Sequence, residues 1–162
     1  NVRDNITLEQ SRISAEALES ASQLVTADRF IERMPKKYET EISERGANLS
    51  RGERQLLSFA RAMVFDPQIL LLDEATSSVD PDTEKQIQLA LDRLLAGRTS
   101  LIIAHRLSTI LDADKILVIR EGQIIERGTH RELLAQGGYY EKLYRLQFQG
   151  PETVKVANVE KV

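Results

Sequence analysis

The sequence predicts an α/β fold built on parallel strands, and three observations carry that expectation. An apolar run of strand length, Ile69-Leu70-Leu71-Leu72, ends in an acidic residue, Asp73. A helical stretch over 81–96 then carries Ile87, Ala90, Leu91, Leu94 and Leu95 at 3.6-residue spacing before Gly97. A second apolar run over 99–104 follows at once, so the order is the strand, helix, strand alternation of a parallel sheet. The first run has no polar position before Asp73, which predicts a strand buried on both faces.

Composition bounds the function. The 162 residues carry 22 Lys and Arg against 25 Asp and Glu, a net charge of −3, with 41% apolar residues. A near-neutral chain without a long basic run argues against nucleic acid as a partner, because phosphate neutralisation needs clustered cations. The absence of cysteine excludes disulfides, thiolate metal sites and cysteine nucleophiles. No apolar run approaches the length of about 18 residues that crosses a bilayer, so a membrane role would need another segment. The opening Asn1-Val2-Arg3-Asp4-Asn5 has neither an initiator Met nor a leader, and is expected to be an interior cut.

The remaining elements are set by local signals. Ser14 is placed to cap a helix over 15–23, with Leu18, Ala21 and Val25 on one face. Thr26 is expected to cap a second helix over 27–34, which Pro35 closes before a polar stretch over 38–43. Ser50 and Glu53 have capping-box spacing, which starts a helix over 51–65 that Asp66-Pro67 stops. Asp80-Pro81 supplies an N-cap and a first-turn proline for the helix over 81–96. Beyond His105 come a short helix over 107–111, a strand over 115–119 and a hairpin turn at Glu121-Gly122 leading to Ile124-Ile125. Thr129 with Glu132 is another capping box, Tyr139, Leu143 and Leu146 are expected to share one helical face, and residues 149–162 have no sustained period. His130, next to that cap, belongs to a local motif, and Tyr139 and Tyr140 are expected to be packing aromatics rather than stacking platforms.

In open α/β sheets ligands bind beyond the carboxyl ends of the strands, where Asp73-Glu74 and His105 fall. An acidic pair there suits a hydrated Mg²⁺, held by Asp73 through water, and a nucleophilic water that Glu74 orients or deprotonates. Taken alone, the pair is better read as a polar turn after a strand and His105 as a hydrogen-bonded histidine near a strand end, and only their combination with other segments favours chemistry.

Four segments in order, Asn48-Leu49-Ser50-Arg51-Gly52-Glu53-Arg54-Gln55, Ile69-Leu70-Leu71-Leu72-Asp73-Glu74, Ser77-Ser78-Val79-Asp80 and Ile103-Ala104-His105, resemble the ATP-binding cassette (ABC) ATPases. They are similar to that family's signature motif, Walker B, D-loop and switch histidine, and the resemblance runs over 1–148. It implies part of a P-loop NTPase (RecA-like) core, preceded by a helical signature subdomain. The divisions it implies are 1–65 for the helical subdomain, 66–148 for the C-terminal part of the core and 149–162 for a disordered tail. It further implies that Leu49, Ser50, Arg51, Gly52 and Glu53 form the signature turn. Within it, Ser50 and Gly52 meet the γ-phosphate of ATP bound by a second nucleotide-binding domain in a head-to-tail dimer. Asp73 would position Mg²⁺, Glu74 act as general base, His105 contact the γ-phosphate and Asp80 link the two sites. A Ser-capped helix start with a glycine that permits close backbone approach is independently a good anion site.

Two positions depart from the usual pattern: Leu-Ser-Gly-Gly-Gln is here Leu49-Ser50-Arg51-Gly52-Glu53, and Ser-Ala-Leu-Asp is Ser77-Ser78-Val79-Asp80. Glu53 would repel a polyphosphate unless it turns back into its capping box or pairs with Arg51 or Arg54. None of the eight glycines starts the Gly-x4-Gly-Lys-Ser/Thr run of a P-loop, so the chain by itself supplies part of an ATP site and is expected to hydrolyse nothing alone. The missing strands would complete its sheet, and the isolated piece is expected to be marginally stable.

Arg3-Asp4-Asn5-Ile6, Ala75-Thr76-Ser77-Ser78-Val79-Asp80, His105-Arg106-Leu107-Ser108-Thr109 and Gly128-Thr129-His130 are similar to the exporter branch, whose ATPase follows a membrane domain. That implies an N-terminally fused transmembrane partner, location at the cytoplasmic face of the cell membrane, and a cargo chosen by the absent part. Two other readings stand beside it. One is a truncated non-catalytic dimerisation or binding module. The other is an SMC-like DNA-repair ATPase, disfavoured because no heptad run interrupts the chain before Asp73.

Overall fold

The computed structural model describes residues 1–73, 81–104 and 107–146. The chain divides into two compact units, Asn1–Ile103 and Ala104–Val162. Glu74, Asp80, His105 and the expected tail lie outside the described residues.

The first unit opens with a helix that local periodicity did not reveal, α1 (Val2–Thr7), started by a capping box between Asn1 and Asp4 and ending at Leu8 in the left-handed region (φ 51°). Helix α2 (Ala15–Leu24) is capped by Ser14 as expected, and Leu18, Ala21 and Val25 are all buried. Thr26 does not cap the next helix. It takes a left-handed turn (φ 59°) at the end of α2, where its amide donates to the carbonyl of Gln23, and its buried hydroxyl has no hydrogen-bond partner. Helix α3 (Asp28–Ile31) therefore starts from Ala27 without a side-chain cap and is shorter than the spacing predicts.

Helix α4 (Arg51–Val64) packs against α1 and α2 and against α5 (Pro81–Leu95), which lies between β1 (Ile69–Asp73) and β2 (Thr99–Ile103) in the chain. Leu56, Leu57, Phe59 and Ala60 of α4 meet Ile87, Leu91 and Leu94 of α5 in one core with Val2, Ile6, Leu18 and Ile31. The strands pair in parallel, Ile69 with Thr99 through Asp73 with Ile103. One expectation is corrected: β1 is buried on one face only. Leu70 is 5% exposed, whereas Ile69 and Leu71 are 66% and 74% exposed, and Leu101 and Ile103 of β2 stand open beside them. Alternation along a strand sends successive side chains to opposite faces, and the core of this unit covers one of them. Arg98 ties the strand starts together: it bonds the Leu94 carbonyl at the end of α5 and forms a 2.7 Å ion pair with Asp66, just ahead of β1.

In the second unit α6 (Leu107–Leu111) precedes an antiparallel hairpin of β3 (Ile116–Arg120) and β4 (Gln123–Gly128). Arg120 faces Gln123 across the two-residue turn Glu121-Gly122, and both turn residues have positive φ, 51° and 77°. A type I′ turn requires that geometry, which glycine adopts without a Cβ penalty. Helix α7 (His130–Gln136) carries the expected Thr129–Glu132 capping box, and α8 (Tyr139–Tyr144) comes after it. The inward face of α8 is not the expected one. Tyr140 is buried with Leu133 and Val118, while Leu143 and Leu146 are exposed. Tyr140 and Tyr144, one turn apart, stack on each other, and His130 meets Tyr140 edge-on and Tyr144 at a tilt, its Nδ1 2.7 Å from the Tyr140 hydroxyl. No described helix is long and apolar enough to cross a membrane.

Candidate functional site

The first turn of α4 gathers five of the residues singled out by sequence. Ser50 is the N-cap: its hydroxyl accepts from the Glu53 amide at 3.2 Å, and the Glu53 carboxylate accepts from the Ser50 amide at 2.8 Å. The hydroxyl takes that bond on a lone pair, which leaves its O–H to donate outward. Of the three placements open to Glu53, the structure adopts the capping box. Its carboxylate is turned back on the helix start rather than projected beyond the turn.

Leu49, ahead of the cap, is 5% exposed and belongs to the core. Its carbonyl accepts a hydrogen bond from Arg54 at 2.5 Å, and the same guanidinium nitrogen reaches the Gly46 carbonyl at 3.1 Å. Arg54 thus fastens the loop over 46–49 to α4, a role that sequence reading missed while weighing it as a partner for Glu53. Arg51 is exposed and Gly52 is buried. Amides in the first turn of a helix have no acceptor within it and carry the positive end of its dipole. A side chain at position 52 would collide with α5, so this stretch of backbone is one that only glycine fits. Beside the turn lies a cleft of about 200 Å³, lined among others by Thr26, Arg29, Arg33, Ser50 and Glu53. Two arginines thus line the same cleft as Glu53.

Asp73 occupies the C-terminal end of β1, exposed and level with Ile103 of β2. The two strands consequently finish at the same edge, from which the chain continues to Glu74 and to His105. Among the described residues no group of three or more His, Asp or Glu side chains stands together. A divalent cation here would take one carboxylate, Asp73, with its remaining oxygens from water and substrate phosphates. That donor set is what Mg²⁺ prefers, since it retains water and binds through one or two carboxylates. The exposed carboxylate at the strand end and the amide-rich, glycine-bearing turn thus fit Mg²⁺ and a nucleotide phosphate respectively.

Residues 1–77 match the family model described as ABC transporter. Over 148 residues the chain is 49% identical to the uncharacterized ABC transporter ATP-binding protein YfiC of Bacillus subtilis, covering 91% of this chain and 24% of that protein. It is 51% identical to an ATP-dependent lipid A-core flippase of Alkalilimnicola ehrlichii, covering 86% of this chain and 24% of the flippase. It is 49% identical to a probable multidrug resistance ABC transporter ATP-binding/permease protein, YheH, also of Bacillus subtilis, covering 90% of this chain and 22% of that protein. Among solved structures, a bacterial Atm1-family ABC exporter with ATP bound superposes with a TM-score of 0.80 at 39% identity, over 91% of this chain and 26% of that one. The chain spans about a quarter of the length of the curated relatives it matches. On its family match, its relatives and its fold together, the chain belongs to the ABC transporter family, as part of an exporter-type ATP-binding domain.

Proposed function

We propose that this chain is the part of an exporter's ATP-hydrolysing domain that carries the Walker B strand and offers its signature turn to ATP held by a second subunit. The observation that carries the reading is the first turn of α4, where an exposed Ser50 caps the helix, Glu53 is turned back into the capping box and Gly52 carries no side chain. On this reading residues 1–65 form the helical subdomain that meets the membrane domain, 66–148 the C-terminal part of the core and 149–162 a tail.

ATP is the substrate, and its γ-phosphoryl group passes to water. Glu74 accepts a proton from the attacking water, a P–O bond forms to that water, and the bond to the β-phosphate breaks to give ADP and phosphate. His105 donates to a γ-phosphate oxygen, and Ser50 and Gly52 from the partner copy donate to the same group. Mg²⁺, when bound, neutralises phosphate charge, and Asp73 is the residue of this chain that would hold its water shell. Asp80 links the two sites. Relatives named as ATP-binding/permease proteins support a membrane domain in the same polypeptide, and on this reading the ATPase domain works at the cytoplasmic face of that membrane.

The test is ATP turnover by the full protein that carries this chain. Glu74→Gln is expected to lower it by roughly 10²–10⁴-fold, the usual contribution of a positioned general base. Turnover unchanged in that variant, or no turnover in the wild type, would sink the reading.

A further inference from the structure

Gly52 is buried although it sits in the first turn of a helix whose cap, Ser50, is exposed. The reason lies in α5. A Cβ at position 52 would fall far inside van der Waals contact with the Cγ2 methyl of Thr83, yet only at ordinary contact, 3.7 Å, from the Thr83 Cβ and the Ile87 Cδ1. One methyl group therefore forbids a side chain there.

We propose that Thr83 is a positioning residue for the signature turn, its methyl seating the backbone of Gly52 against the start of α5. Three facts make the seat rigid. Ile87, one turn further along α5, is 1% exposed and fixed in the core, so α5 has no freedom to retreat. Leu56, one turn further along α4, is 3% exposed and anchors the other side. Threonine is β-branched and stiff at χ1, so its methyl does not swing aside at low cost. Thr83 is also three residues beyond Asp80 in the chain. The methyl-to-glycine contact is therefore made between the turn that would face a partner's phosphate and the first turn of the helix that follows Asp80 in the chain. The packing by itself demands a glycine at 52. The functional half of the proposal rests on the ATPase reading above, whereas the packing half does not.

The experiment is a double-mutant cycle in the full protein that carries this chain, with Gly52→Ala, Thr83→Ser and both together. Melting temperature is followed, with kcat and KM for ATP measured separately. Thr83→Ser keeps the hydroxyl and removes only the obstructing methyl. Gly52→Ala is expected to lower Tm by about 5 °C or more, the scale of an overpacked contact. Adding Thr83→Ser is expected to restore most of that fall, and kcat with it, while KM stays near the wild-type value. Thr83→Val, which retains a methyl, is expected to restore neither. A Gly52→Ala protein that melts like the wild type, or losses that simply add in the double variant, would overturn the proposal. Recovery of Tm without kcat would overturn the positioning role and leave a packing contact alone. If the wild type hydrolyses no ATP, the ATPase reading fails and the Tm cycle still decides the contact.

Discussion

Arg54 donates to the carbonyl oxygen of Leu49 at 2.5 Å, binding the residue ahead of the cap to the helix that the cap begins. A charged donor that satisfies two partly buried carbonyls contributes on the order of 2 kcal/mol. Arg54→Ala should therefore lower the unfolding free energy, measured by urea titration, by about that amount. Arg54→Met keeps the aliphatic stem, which packs at Gly46, and deletes the donors. A Met variant as stable as the wild type would assign the stability to the stem instead.

Glu53 stands where the family usually has glutamine. A glutamine oxygen can accept the Ser50 amide equally well, so Glu53→Gln should preserve the capping box and change stability by less than about 0.5 kcal/mol. Because it removes a carboxylate next to the phosphate position, turnover should hold or rise. Ser50→Ala, by contrast, deletes the cap and should cost about 1 kcal/mol. Calorimetry on the two variants checks the contrast, and a Gln variant that melts like the Ala variant would contradict it.

Glu126 of β4 accepts from the amides of Tyr139 at 2.5 Å and Tyr140 at 2.9 Å, and so caps α8 from a different element. Glu126→Ala leaves both amides without that acceptor. Hydrogen exchange at Tyr139 and Tyr140 should accelerate by roughly 30-fold, the factor that about 2 kcal/mol represents. Glu126→Gln has one acceptor oxygen for two amides and should fall between. Protection that survives in the Ala variant would show that α8 has another anchor.

The Thr129 amide donates to Glu132 at 2.8 Å, and this bond, followed by that from the Thr129 hydroxyl, holds the Glu132 carboxyl below its ordinary value of 4.5. With the folded value the lower, the contribution to stability is complete above the unfolded value and disappears as pH falls through the folded one. The cap of α7 should thus be indifferent to pH near neutrality and fail only in acid. A carboxyl ¹³C titration gives the midpoint directly, and one at or above 4.5 would refute the assignment.

The signature turn was legible because a capping box is local: Ser50 and Glu53 announce it within four residues, and the structure builds it from those two side chains. The Glu121-Gly122 turn was readable for the same reason. The short helix α1 was harder, since six residues offer only Val2 and Ile6 as an apolar face, and its Asn1–Asp4 box was the one usable signal. Thr26 looked like a cap, but its backbone is spent on ending α2. Uniformly apolar strands hide which face is covered, and Ile69 and Leu71 differ from Leu70 only in where they point. The contacts of Gly52 with Thr83 and of Arg54 with Leu49 depend on packing or loop geometry that no spacing rule encodes. Glu74, Asp80 and His105 rest on sequence and chemistry, because they lie outside the described residues.

The parallel pairing of β1 with β2 also has a meaning in time. Ile69 lies across from Thr99, thirty positions later. At about 5–20 residues per second, a ribosome takes roughly 2–6 s to make that stretch. Throughout the interval α1, α2 and α4 have already been synthesised, while β1 waits for the neighbour with which it pairs. The pairing of β1 with β2 therefore trails the synthesis of β1 by that interval, and slowing translation over 81–98 would lengthen the wait without touching a residue of the finished fold.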